Sequence, residues 1–219
     1  MAEPASERTR LRRGANRAVY EPAEIRQILR AGLIAHVGVN TDDGPVVLPM
    51  AYGLIDDRLF IHGAVANAMM RAGSGVEVCV TVTIVDGLVV ARTPFHNSMN
   101  YRSVVVRGTA TPVTDPQDKV AALRAINDHA VPIWDTARQP SDSDLRKTMV
   151  LAISLTEASA KVRGGDPIDE EADLDGPHWA GVVPLNTSWG QVVPAGDLRA
   201  DVAVPPAVAQ MQGEAAYRS

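Results

Sequence analysis

Residues 76–110 constrain the fold more than any other part of this chain. VEVCVTVT and YRSVVVRGTA are rich in the β-branched residues that favour strands. Between them runs a polar, proline-containing loop with His96, Asn97, Ser98, Asn100, Tyr101 and Arg102. Strands of this composition form a rigid sheet. The loop carries more hydrogen-bonding groups than a turn requires, which marks it as a place for a ligand.

The rest of the chain extends the pattern. Glu21-Pro22 opens a helix with Ile25, Ile28 and Leu29 on one face and Gly32 at its end. Residues 33–39 and 46–52 read as a hairpin about Thr41-Asp42-Asp43-Gly44-Pro45, and a turn at Asp56-Asp57 leads into a strand over 58–62. A short helix follows in AVANAMMRAGSG. Strands over 76–83 and 88–92 then flank a turn at Asp86-Gly87, and 101–110 returns after the polar loop. Asp115-Pro116 caps a helix striped by Val120, Leu123 and Ile126; residues 131–144 read as a loop, and 149–158 as another strand. Six or so strands joined by tight turns favour a closed antiparallel barrel, since closure removes exposed edges. The predicted class is mainly β with flanking helices.

Composition narrows the alternatives. A chain of 219 residues, 46% apolar, fills one good-sized domain. We divide it into a flexible basic arm (1–18), a barrel domain (19–185) and an extension (186–219) that is partly packed and partly frayed. The formal charge of −5 argues against nucleic acid as a partner, although Arg8, Arg10, Arg12, Arg13 and Arg17 crowd the arm. Cys79 is the only cysteine, so one chain builds neither a disulfide nor a cysteine zinc site; within its strand it reads as a small core residue. No apolar stretch is long enough to span a bilayer and no secretory signal opens the chain, which gives the expectation of a soluble cytoplasmic protein without a membrane partner. The acidic run from Asp166 to Asp175 reads as an exposed loop.

No phosphate-binding loop, dinucleotide fingerprint, nucleophile elbow or zinc-protease helix occurs. What remains are polar residues at strand ends, a setting for a flat aromatic cofactor. His62 in LFIHGA is the leading functional residue: Gly63 and Ala64 beside it leave room for a stacked ligand or an axial metal bond. His36 and His129 read as structural. Arginine suits phosphate through its planar fork, and Lys161 and Arg163 share one face of a strand, which makes a joint anion site.

HGA, VCVTVT, DGLVVARTPFHNSMNYRSVVVRGTA and EASAKVRGG together resemble the pyridoxamine 5′-phosphate oxidase-like flavin-binding split barrels, most of all their nitroimidazole-resistance branch, from about Arg10 to Leu185. The resemblance implies a six-stranded antiparallel split β-barrel and a homodimer with FMN in two clefts at the subunit interface. It implies a flavin-dependent oxidoreductase acting on a small aromatic or nitro-bearing acceptor. It places His62 near the flavin ring as the catalytic residue and Leu48, Pro49 and Met50 along the ring. Gly63, Ala64, Asn67 and Arg71 fall towards the phosphate, Ser98, Asn100, Tyr101 and Arg102 around the pocket, and Lys161 and Arg163 serve as anion anchors. Two departures stand out: Asn67-Ala68 replaces a Ser-Arg pair near the phosphate, and Asn97 replaces a second loop histidine. The first keeps open an alternative cofactor, haem b, with His62 as axial ligand, because the same barrels include haem proteins.

Overall fold

The computed structural model describes residues 2–217. Eleven strands pair antiparallel throughout, in two sheets facing one core. The larger sheet runs in the order β1 (Ala18–Val19), β10 (Ala158–Arg163), β7 (Ser98–Thr109), β6 (Glu77–Val90), β2 (Ala35–Thr41), β3 (Gly44–Met50), and β11 (Gly181–Pro184) adds to β6. The smaller runs β4 (Tyr52–Ile55), β5 (Arg58–Ala64), β9 (Thr148–Ser154), β8 (Thr111–Pro112). The two sheets form the expected split barrel, without joining into one hydrogen-bonded cylinder.

Inward residues build the core by strict alternation. Val37 and Val39 of β2, Val78, Val80 and Val82 of β6, and Val104 and Val106 of β7 meet Leu59, Ile61, Leu151 and Ile153 of the smaller sheet, all buried. Helix α1 (Pro22–Ala31) closes one end with Ile25, Ile28 and Leu29. Tyr52 is buried beneath it, its hydroxyl lying between the carbonyl oxygens of Leu29 and Gly32, and burial pushes its phenol pKa up. Helix α2 (Ala68–Gly73) follows β5. Helix α3 (Pro116–Ala130), capped by Asp115, covers the outer face of the smaller sheet through Ala122 and Ile126 against Phe60, Val150 and Ala152. His129 pins its end: Nε2 lies 2.7 Å from the Gly32 carbonyl oxygen and the ring packs tilted against Tyr52, with centroids 4.5 Å apart.

Four expectations are corrected. Asp86-Gly87 is not a turn: β6 runs unbroken past it with a bulge between Val85 and Gly87, because the true hairpin connection is the polar loop itself. Gly87 is required there, since a Cβ would lie 2.8 Å from the Val183 carbonyl oxygen of β11. The 131–144 loop ends in a helix, α4 (Asp142–Lys147), nucleated by a Ser141–Asp144 capping box. Cys79 is exposed, on the outward face of β6, because the valines flanking it own the core positions. The acidic run is anchored: Asp169 has a side chain only 1% exposed, paired with Arg92.

The termini lie against this frame. In the arm, Thr9 is buried, the Leu11 amide donates to the Tyr20 hydroxyl at 2.8 Å, and Arg8 pairs with Glu77 and Glu157. In the extension, which includes α5 (Pro206–Met211), the Gly213 amide donates to the Trp189 carbonyl, the Trp189 amide donates to the Glu214 carbonyl, and Ala216 is buried. Among the described residues no helix is long and apolar enough to cross a membrane, and no group of three or more His, Cys, Asp and Glu could hold a metal ion.

Candidate functional site

The polar loop spends most of its donors and acceptors within the chain. Asn97, at the position where a second histidine was expected, accepts from the Ala91 amide at 2.8 Å and so closes the loop. Arg92 donates through its backbone amide and Nη1 to Asp169, both at 2.8 Å. Arg102 grips Asp86 through Nε and Nη2, the latter at 2.8 Å. Asn100 donates to the Gly165 carbonyl at 3.1 Å and accepts from Arg163, whose Nη2 donates to the Asp166 carbonyl at 3.2 Å. The expectation that the loop's hydrogen-bonding groups are there for a ligand is therefore corrected: Asn97 and Arg102 brace the β6–β7 hairpin itself, while Asn100 with Arg163, and Arg92 with Asp169, tie the 163–169 segment onto it. Ser98 and Tyr101 remain partly exposed. His96 presents Nε2 3.9 Å from Glu170, with Nδ1 buried and unpartnered.

His62 stands elsewhere, on the outward face of β5 next to Phe60 in the alternation and directly across from Val150. Phe60 and Val150 are buried under α3, while His62 is exposed. Its imidazole makes no hydrogen bond to a described residue, and desolvation by the surrounding protein lowers its pKa. Such a ring is neutral near pH 7 and has a nitrogen lone pair to offer.

The room expected beside it has another use. Gly63 faces inward, and a Cβ there would lie 2.7 Å from Met70 Cγ, so the missing side chain makes space for Met70 rather than for a ligand. Ala64 is exposed. Asn67 caps α2, its Oδ1 accepting from the Met69 and Met70 amides at 2.9 and 3.3 Å. Arg71 folds back, donating to the Val65 and Ala66 carbonyls at 3.3 and 2.8 Å.

Leu48, Pro49 and Met50 lie on β3, the far edge of the larger sheet, with Leu48 and Pro49 exposed. Pro45 and Pro49 lack ladder donors and blunt that edge. Lys161 is on β10, opposite Ser103 of β7. From β3 to β10 is four strand steps, about 19 Å across a sheet of ordinary spacing. The residues grouped by sequence thus fall into three places on one chain: the β3 edge, the end of β5 with α2, and the β7–β10 pair towards the opposite end of the larger sheet.

The family model described as pyridoxamine 5′-phosphate oxidase matches residues 21–162. The chain belongs to that family. Within the pyridoxamine 5′-phosphate oxidase fold, the flavocytochrome Anf3 from Azotobacter vinelandii is 33% identical with a TM-score of 0.92, covering 97% of this chain and 100% of its own. The FAD and haem binding protein from Mycobacterium smegmatis is 32% identical with a TM-score of 0.87, covering 92% and 100%. A 5-nitroimidazole antibiotic resistance protein from Bacteroides thetaiotaomicron, 23% identical with a TM-score of 0.55 over 66% and 86%, shares the fold. No curated protein matches.

Proposed function

We propose that this chain is a flavin-dependent oxidoreductase that also binds haem, with His62 as the axial ligand of the haem. One observation carries the reading: the imidazole of His62 is exposed, unpartnered and held neutral by desolvation, in a chain whose near full-length likeness is to a flavocytochrome. A haem iron needs that state of the ring, and the residues present fit it. Exposed Leu48 and Pro49 offer an apolar surface for a flavin ring, with Ser98 and Tyr101 as polar partners at the β7 edge. Bound flavin, FMN or FAD, would supply two-electron chemistry, and haem one-electron transfer.

The chain's own residues position these groups. β5, buried on both faces up to Ile61, fixes the His62 backbone. Asp86 and Asn100 hold Arg102 and Arg163 in place around the β7 edge. β3 and the β7–β10 pair lie at opposite ends of the larger sheet, which supports a homodimer in which one subunit's β3 edge meets the other's β7–β10 surface. A second reading follows from the exposure of His62: without haem, the same ring would face a small aromatic or nitro-bearing acceptor and hold a proton for it.

The visible spectrum of the purified protein tests the proposal. Flavin bands together with a Soret band are expected, and His62→Ala should remove the Soret band and leave the flavin. An unchanged Soret band in that variant overturns the axial role; flavin bands without a Soret band select the second reading. A protein that stays colourless after addition of FMN, FAD and haemin overturns both.

A further inference from the structure

We infer that the N-terminal arginine arm and Lys161 form a binding site for the phosphate or diphosphate of a flavin nucleotide. The inference rests on the flavin reading above. Between the arm and the outer face of β7 and β10 lies a cavity of about 310 Å³, lined by Arg12, Arg13, Ser103, Ser159 and Lys161 among others, with no carboxylate in its wall.

The arm's arginines divide into two sets. Arg8 is neutralised by Glu77 and Glu157, and Arg10 by Glu7 at 2.9 Å. Arg12, Arg13 and Arg17, together with Lys161, make no ion pair and no side-chain hydrogen bond with a described residue. Arg17 is close enough to Arg163 to disfavour its charge, which burial already depresses. Several cations gathered without a counter-charge repel one another, and an anion placed among them removes that repulsion while accepting their hydrogen bonds. The hydroxyl of Ser159, buried on the same wall, also makes no hydrogen bond to a described residue.

The start of α2 offers no uncommitted polar side chain for an anion. The sequence has Asn67-Ala68 there; Asn67 is committed to capping α2, and Arg71 to two backbone carbonyls. In the two-subunit arrangement the β7–β10 edge, and the arm over it, would meet the β3 edge of the partner subunit.

Equilibrium dialysis of the full-length chain against FAD, FMN and riboflavin tests this, with inorganic pyrophosphate followed by calorimetry. In the Arg12→Gln/Arg13→Gln double variant and in Lys161→Gln, nucleotide affinity should fall roughly tenfold or more, with riboflavin unchanged and the salt dependence weakened. Arg10→Gln should behave as wild type. A loss confined to FAD assigns the site to the adenosine-side phosphate of the diphosphate, and a loss for both nucleotides to the ribityl 5′-phosphate that they share. Unchanged FAD and FMN affinity in both variants overturns the inference. Wild type that binds pyrophosphate but no flavin, with the pyrophosphate lost in the variants, fails the flavin reading and leaves the anion site standing. Binding of neither by wild type overturns both.

Discussion

Replacing Asp169 should loosen the whole polar loop, and the structure sets the size of the effect. Its side chain is 1% exposed and accepts two hydrogen bonds from Arg92, from the backbone amide and from Nη1, each 2.8 Å long. A charge-assisted bond contributes about 1.5–3 kcal/mol. Arg92 is 26% exposed, so its abandoned guanidinium turns partly to water and the low end applies. The stranded backbone amide adds about 1 kcal/mol. Asp169→Ala should therefore cost about 2.5 kcal/mol, whereas Asp169→Asn, which keeps an acceptor for the amide, should cost about 1.5 kcal/mol. Urea denaturation reads both as a lower midpoint at unchanged slope, and thermal melts as a fall of about 5–10 °C for the alanine variant. A cost within about 0.5 kcal/mol of zero for Asp169→Ala would refute the reasoning. So would an asparagine variant as damaged as the alanine one.

Gly63→Ala should destabilise by about 1 kcal/mol, since the new methyl displaces only the flexible Met70 side chain, while Gly63→Val should cost clearly more; equal costs in urea melts would contradict this packing. Asn67→Ala should cost about 1 kcal/mol through the lost cap, with Asn67→Asp close to wild type by the same assay. The Asp144 carboxyl is held down to about 2 by the Ser141 backbone amide first, then the Ser141 hydroxyl and Arg138, so its contribution is complete above about pH 4 and is lost as pH falls towards 2. Ser141→Ala should raise that pKa in an NMR titration. Haem bound through His62 should be lost as pH falls, because the proton competes for the same nitrogen, and the lowered pKa puts this loss below about pH 6.5; a Soret titration with its midpoint above that value would contradict it.

Much of the fold was legible because alternation is a strong signal where one face must be dry. Val37, Val39, Val78, Val80, Val82, Val104 and Val106 are all buried on the phase the sequence shows. The failures come from groups whose local chemistry has two readings. Asp86-Gly87 carries a turn signal, yet Gly87 is there so that β11 can approach, a contact made by residues almost a hundred positions away. Asp169 looks solvated inside an acidic run, and only the return of the chain past Arg92 buries it. The capping box of α4 was readable from Ser141 and Asp144, but the prolines around it masked six helical residues.

The candidate site was legible as a set of residues and not as an arrangement. A polar loop announces unmet hydrogen bonds, and this one meets most of its own through Asn97, Arg92, Arg102 and Asn100. The lack of a partner among the described residues is the more discriminating signal, and it points to different residues: the exposed ring of His62, and a cationic group, the exposed Arg12 and Arg13 with the half-buried Arg17 and Lys161. Sequence hid the second group because an arginine-rich arm and a sheet strand have no visible relation until the arm lies on the strand. A single neutral imidazole on a rigid strand suits a metal bond, and a cationic shelf about 19 Å from the apolar β3 edge suits the distant end of a nucleotide cofactor. In the proposed homodimer the partner subunit would bring its β3 edge to the shelf, so there dilution that separates the subunits should release flavin from both sites at once, and flavin retained by the monomer would refute that arrangement.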